Sequence, residues 1–204
     1  GHSHDWVYTY TIEHPTLTFS GSIDDFENVN ACYSEEHKAQ LLTADQVKAM
    51  YSSSCSREIT VSTNDVVVSS SDCNWKITRT YNISDGGCNT DSKTMSVSGR
   101  DQTTPYIMPT VLDRTLTATG CEFIIPDMRE EVRAIASDGC TGNSALTVEQ
   151  PSAGMQVYPQ VIARDTNVIS RVTDSCGNYS LKSVKITIPA KVVITATATP
   201  ASIC

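Results

Sequence analysis

Eight cysteines, at positions 32, 55, 73, 88, 121, 140, 176 and 204, are the residues of this chain with the most chemistry open to them. A cysteine can be a thiolate nucleophile, a soft metal ligand or half of a disulfide, and its neighbours decide which. Thiolate catalysis needs a histidine base close by. All four histidines (His2, His4, His14, His37) fall in the first 37 residues, whereas Cys176, in "VTDSCGNYS" (172–180), lies far along the chain. Structural zinc sites use short paired spacings such as Cys-x2-Cys. Here no two cysteines sit closer than 15 positions. No G-x-S-x-G elbow marks a serine nucleophile either. What remains is the disulfide, which belongs to an oxidising compartment. The expectation is a non-enzyme with no catalytic residue, no cofactor and no resident metal.

Other groups could bind ions or sugars. His2, His4 and Asp5 could hold a transition metal adventitiously at a flexible terminus. Asp24, Asp25, Glu27 and Asn28 gather the oxygen ligands that calcium takes, and Asp101 sits in "SGRDQTTP". No EF-hand spacing organises them, so a solvated acidic loop is expected. Asn82 ("NIS") and Asn178 ("NYS") match the N-glycosylation sequon. Trp6 and Trp75 could stack on sugars, but both lie on alternating runs where burial in a core is expected.

The totals narrow the class. The chain has 204 residues, enough for one large domain or two modules of about 100. Hydrophobic residues make up 39%, which supports a packed core. A net charge of −8 without any basic stripe excludes nucleic acid as a partner. No apolar run approaches the ~20 residues that span a bilayer, and the first residues, "GHSHDW", are too polar for a signal peptide.

The cysteine-bearing stretches recur. "ISDGGCNTD" (83–91) and "VTDSCGNYS" align on Asp85 and Asp174 at an offset of 89. The offset is 89 from Cys32 to Cys121, 85 from Cys55 to Cys140 and 88 from Cys88 to Cys176. A period-2 strand follows each signature, with Met95 and Val97 in one copy and Val184, Ile186 and Ile188 in the other. One more shift of 89 lands on "DWVYTYTIE" (5–13), which reads as the last strand of a preceding copy. The expected organisation is therefore residues 1–15 as that strand or an N-terminal extension, 16–104 and 105–190 as two modules, and 191–204 as the start of a further module or a tail. Whether Cys204 begins a cut-off strand or pairs back to Cys121 stays open.

These signatures need strands to position them. "WKITRTYNI" puts Trp75, Ile77, Tyr81 and Ile83 on one face, interrupted by Arg79. "EITVSTNDVVVSS" reads as strand, Asn-Asp turn, strand. One short helix is expected at "TADQVKAMY", where Thr43 and Gln46 form a capping box. About seven strands per module at 8–12-residue spacing predict an all-β fold, two tandem immunoglobulin-like β-sandwich modules with disulfides. In such a sandwich the B–C and F–G loops emerge at one end, which pairs Cys55 with Cys88 and Cys140 with Cys176. Cys32 and Cys73 are then partners, leaving Cys121 and Cys204 unassigned.

"DWVYTYTIE", "ITRTYNISDGGCN" and "VISRVTDSCGNYSLKSVKITIP" are similar to hyalin-repeat-like and related immunoglobulin-like repeats of bacterial cell-surface proteins, and "ATATPASIC" resembles the start of another such module. The resemblance implies an extracellular or outer-surface location and an adhesive or spacer role, with no catalytic residues. Residues 16–60, with their helix, depart from the pattern. The expected partner is a protein or glycan at the cell surface, with no membrane insertion in this segment and a monomeric chain. The alternative is a carbohydrate-binding accessory module of a surface glycan-processing system.

Overall fold

The computed structural model describes residues 1, 4–10, 14–55, 57–118, 122–150 and 161–189. The chain divides into two compact units, Gly1–Gln102 and Thr103–Cys204. Both are predominantly β, so the all-β sandwich class is what the strand patterning called for.

The first unit contains β1 (Leu17–Phe19), β2 (Phe26–Asn30), a 3-10 turn (Glu35–Gln40), α1 (Ala44–Lys48), β3 (Tyr51–Ser53), β4 (Thr60–Ser71), β5 (Asn74–Ser84) and β6 (Thr90–Arg100). The main sheet runs β2-β6-β5-β4, antiparallel except for the parallel β2–β6 pair. The alternation in β5 buries Trp75, Ile77, Tyr81 and Ile83 on one face, beside Met95 and Val97 of β6. Against that face pack the β1–β3 ribbon, through Leu17, Phe19 and Tyr51, and α1 through Val47. α1 starts where the capping box requires: the Thr43 hydroxyl accepts the Gln46 N–H at 3.2 Å, and the Gln46 side chain accepts the Thr43 N–H at 2.7 Å. Arg79, the charge on the apolar face, is bidentate to Asp65 of β4 (2.7 and 2.8 Å) and donates to the Leu42 carbonyl at 3.2 Å.

Two expectations fail in this unit. β4 is one strand of 12 residues, not a hairpin turning at Asn64-Asp65. The Asp65 carboxylate is held by Arg79 across the ladder instead of bending its own backbone, and Asn64 lies on an edge strand where polar side chains meet water. The N-terminal run is not a strand over residues 4–10, and Trp6 is 80% exposed rather than buried. An alternating pattern becomes a strand only where another edge completes its hydrogen bonds, and among the described residues none does so here.

The second unit contains β7 (Tyr106–Ile107), β8 (Arg114–Thr115), β9 (Phe123–Ile124), α2 (Arg129–Ala134), β10 (Ala136–Ser137), a 3-10 turn (Asn143–Ala145), β11 (Thr147–Glu149), β12 (Val161–Ile162), β13 (Thr166–Thr173) and β14 (Tyr179–Thr187). Its main sheet is ordered β8-β14-β13-β11, again antiparallel except for the parallel β14–β8 pair. This is the strand order and the set of senses seen in the first unit. The ribbons β7–β10 and β9–β12 complete the fold. Val168, Val184 and Ile186 pack with Leu116, Ile125 and Met128, while Val172 and Val148 pack with Val132, Ala136 and Leu146. The single helix expected is joined by a second, α2, whose first N–H groups are held by Asp127 (to Arg129, 3.0 Å) and Gln150 (to Met128, 2.9 Å). No helix among the described residues is long and apolar enough to cross a membrane. Residues 191–204, with Cys204, lie outside the described residues, as does Cys121.

Candidate functional site

The residues with potential chemistry gather at the hairpin tips. In the first unit the β5–β6 connection is Asp85–Asn89, "DGGCN". Asp85 is fully buried. Its N–H donates to the Asn89 carbonyl at 3.2 Å, and its carboxylate accepts the Asn89 N–H, the Asn89 side-chain amide at 2.9 Å and the Ser53 hydroxyl at 2.7 Å. Gly86 (φ 81°) and Gly87 (φ 101°) make the reversal with left-handed backbone that side chains resist. Ser53 carries the bond to the facing loop, where its hydroxyl also accepts the Cys55 N–H at 2.9 Å. Cys55 and Cys88 are joined, their Cα atoms 6.5 Å apart.

The second unit repeats this chemistry at Asp174–Asn178, "DSCGN". The Asp174 N–H donates to the Asn178 carbonyl at 3.0 Å. Its carboxylate accepts the N–H groups of Cys176 and Asn178 and the Asn178 amide, each at 2.8 Å. Gly177 (φ 87°) supplies the left-handed residue. The Asp-to-Asn spacing is the same in both corners, while the cysteine slides by one place as the glycine moves. Facing this corner, Asp138 accepts the N–H groups of Cys140 (2.9 Å) and Thr141 (2.8 Å). The Thr141 and Ser175 hydroxyls meet at 2.7 Å. Cys32, Cys73, Cys140 and Cys176 are all disulfide-bonded. The Tyr33 N–H donates to Asp72 at 2.8 Å, which brings together the residues next to Cys32 and Cys73, just as Thr141 and Ser175 do for Cys140 and Cys176.

Electrostatics follow from these bonds. Burial pushes the Asp85 carboxyl upward, but hydrogen bonds from Asn89 and Ser53 outweigh it and hold the group below the usual carboxylate range. The Tyr51 hydroxyl, donating at 2.7 Å, lowers Asp91, and burial with that same bond pushes Tyr51 up. Asp127, held by the Arg129 guanidinium, comes down to about 2.

The remaining candidates are occupied or scattered. One sulfur of Cys55, one of Cys88 and a carboxylate oxygen of Asp85 lie within 4.8 Å of one another, but the two sulfurs are bonded and offer no thiolate. His37 lies flat on Trp75 (ring centroids 4.3 Å apart) and its Nε2 bonds the Cys32 carbonyl at 3.0 Å. His4 and His14 are exposed, and His2 lies outside the described residues. In the acidic group, Asp24 accepts the Ser22 hydroxyl and Asp25 the Ser96 N–H, while Glu27 and Asn28 sit in β2. Asp101 is buried in the first unit, its N–H donated to the Asp72 carbonyl at 2.7 Å. The arms of the corners that spacing did not single out are Ser53 and the Thr141–Ser175 pair. Their one signal is a hydroxyl residue one or two positions from a cysteine.

No protein-family model matches the chain, and no curated protein matches it. Among solved structures it is similar to the protocadherin GammaB4 extracellular domain (13% identity, TM-score 0.27, 65% of this chain and 26% of that one). It is also similar to protocadherin Gamma C5 EC1-3 (12%, TM-score 0.28, 85% and 68%) and to mouse cadherin-23 EC22-24 (12%, TM-score 0.28, 86% and 64%). The chain thus spans about a quarter of the first of these.

Proposed function

We propose that this chain is a non-catalytic segment of an extracellular or cell-surface protein, with a structural and adhesive role in spacing or presenting binding surfaces. One observation carries the reading: among the described residues, the cysteines and the corner Asp and Asn side chains are consumed in locking hairpin tips, in the same way in both units. An Asp–Asn clasp and a disulfide-bonded cysteine stand at each corner, and the cysteines have neither a thiolate nor a histidine base to work with. Disulfides of this density support an oxidising, extracellular setting. The hyalin-repeat-like signatures support a place in a string of similar modules, with a partner protein or glycan at the surface and the chain monomeric. Beads coated with the 204-residue chain are expected to adhere to cells or matrix without turnover of any substrate. Coated beads that bind no more than albumin-coated ones would remove the adhesive reading.

A second reading, a carbohydrate-binding accessory module, is favoured by Trp6, Tyr8 and Tyr10, three exposed aromatic rings at alternating positions. Aromatic faces of this kind stack on sugar rings. A glycan array separates the two readings: selective binding lost in Trp6→Ala selects the second, and an unselective array selects the first.

A further inference from the structure

We infer that Asn82 is an attachment site for an N-linked glycan and that Asn178, the other sequon asparagine, is not. Both sequences satisfy Asn-x-Ser, so the motif alone treats them alike. The fold does not.

Asn82 stands on β5 with Ile83 turned into the core and Ser84 back on its own side, because successive side chains of a strand alternate between faces. The asparagine and the hydroxyl of the sequon therefore share the solvent face of the sheet. The neighbours across the ladder are Ser62 of β4 and Ser92 of β6, both small and exposed. The Ser92 hydroxyl donates to the Asn82 amide oxygen at 3.5 Å, a bond that does not engage the amide nitrogen. Around it lies a shallow open concavity of about 690 Å³, lined among others by Thr60, Ser84, Thr90 and Asp91. A first sugar ring has room there, with hydroxyl and carboxylate groups to meet its own hydroxyls.

Asn178 is in the opposite situation. Its amide nitrogen donates to Asp174 at 2.8 Å, its N–H donates to the same carboxylate, and its carbonyl accepts the Asp174 N–H. It is half-buried, two residues from disulfide-bonded Cys176. A sugar on that nitrogen takes one of its two hydrogens and has to be fitted into a half-buried corner already closed by the Asp174 bonds. The transfer itself acts on the chain before it folds, so the folded geometry selects which glycosylated chain reaches the native state.

The step is a glycosyl transfer from a polyprenyl-diphosphate-linked oligosaccharide. The Asn82 side-chain nitrogen attacks the anomeric carbon, the C–O bond to the diphosphate breaks, the N–C bond forms, the amide gives up one proton and the polyprenyl diphosphate leaves. Nothing is oxidised or reduced. This assignment is independent of the adhesive reading and requires only passage through a secretory compartment that holds such a donor.

The test is to direct the full 204-residue chain into the secretory pathway of insect cells and measure the intact mass of the secreted protein before and after peptide N-glycosidase. One glycan per chain is expected, with Asn82 recovered as aspartate after the enzyme. Asn82→Gln and Ser84→Ala are each expected to abolish the mass shift; Ser84→Ala leaves the asparagine in place and guards against a folding defect in the first variant. Ser180→Ala, which cancels the second sequon but spares the Asn178 clasp, is expected to leave the shift unchanged. An unmodified wild-type chain, a second glycan on Asn178, or loss of the shift in Ser180→Ala would each overturn the assignment.

Discussion

A single carboxylate holds each hairpin corner, and in the first unit the ionisation of Asp85 makes the corner sensitive to acid. Asp85 accepts from Asn89 and Ser53, Asp91 from Tyr51 and Asp127 from Arg129, and all three carboxyls lie below their ordinary values in the fold. A carboxylate depressed by folding contributes stability that is fully present above its unfolded pKa and is lost as pH falls through the folded one. The thermal midpoint is therefore expected to stay level down to about pH 5 and to fall progressively below about pH 4, with the Asp127 contribution lost steadily between about pH 4 and about pH 2. A midpoint that climbs on acidification would contradict this. The mutational counterpart is Asp174→Ala, which leaves the Cys176 and Asn178 N–H groups and the Asn178 amide without their acceptor. Urea unfolding is expected to show a loss of roughly 2–3 kcal/mol, the range for hydrogen bonds to a charged group. A loss below about 0.5 kcal/mol, the scale of ordinary surface changes, would mean the clasp does not hold the corner.

Among the elements, the tightest constraint is where β2, β5 and β6 meet. Trp75 is fully buried, and its indole N–H donates to the Ala31 carbonyl at 2.8 Å. Under the indole lies Gly99 of β6: a Cβ added there would stand 2.2 Å from the Val29 carbonyl oxygen and 2.5 Å from the Trp75 ring. The Val29 carbonyl is β2 backbone and can yield only by opening the parallel β2–β6 ladder, so Gly99→Ala is expected to cost about 1–3 kcal/mol by overpacking. Gly139→Ala, whose added carbon meets nothing within 4 Å, is expected to be neutral, and equal midpoints for the two variants in thermal unfolding would sink the packing account. Local pattern revealed part of this layer. The alternation of Trp75 to Ile83 and the Thr43–Gln46 box are complete within a few residues, and such signals can be read from a sequence. The continuity of β4 could not be read, because the partner that disarms the Asn-Asp turn is Arg79, 14 positions away across the ladder. α2 was missed because its carboxylate, Asp127, holds the Arg129 N–H from one residue ahead of the usual cap position. At the corners, Asp, Gly and Asn declared a turn by their own chemistry, whereas Ser53 has no periodicity to betray it. Its role exists only once β3 is brought beside the β5–β6 tip.

For the whole molecule, each unit is a small sheet assembly whose cross-links stand where loops distant in sequence converge. Cys55 and Cys88 are 33 positions apart, and closing a loop of that length removes enough unfolded-chain entropy to contribute about 3–4 kcal/mol. Against a net stability of typically 5–15 kcal/mol, that is a large share. Cys55→Ser with Cys88→Ser is accordingly expected to lower the midpoint of the first unit far more than a surface change would, with the β spectrum retained below it. The remaining pairing follows from the same convergence: Tyr33 bonded to Asp72 joins the flanks of Cys32 and Cys73, and Thr141 bonded to Ser175 joins those of Cys140 and Cys176. Mass mapping of unreduced peptides is expected to return Cys32–Cys73, Cys55–Cys88 and Cys140–Cys176. Thiol titration under denaturing conditions is expected to find at most two free sulfhydryls, those of Cys121 and Cys204. A Cys121–Cys140 link would separate the second-unit corner from its facing loop, and six or more free thiols would remove the oxidising compartment on which the extracellular reading stands.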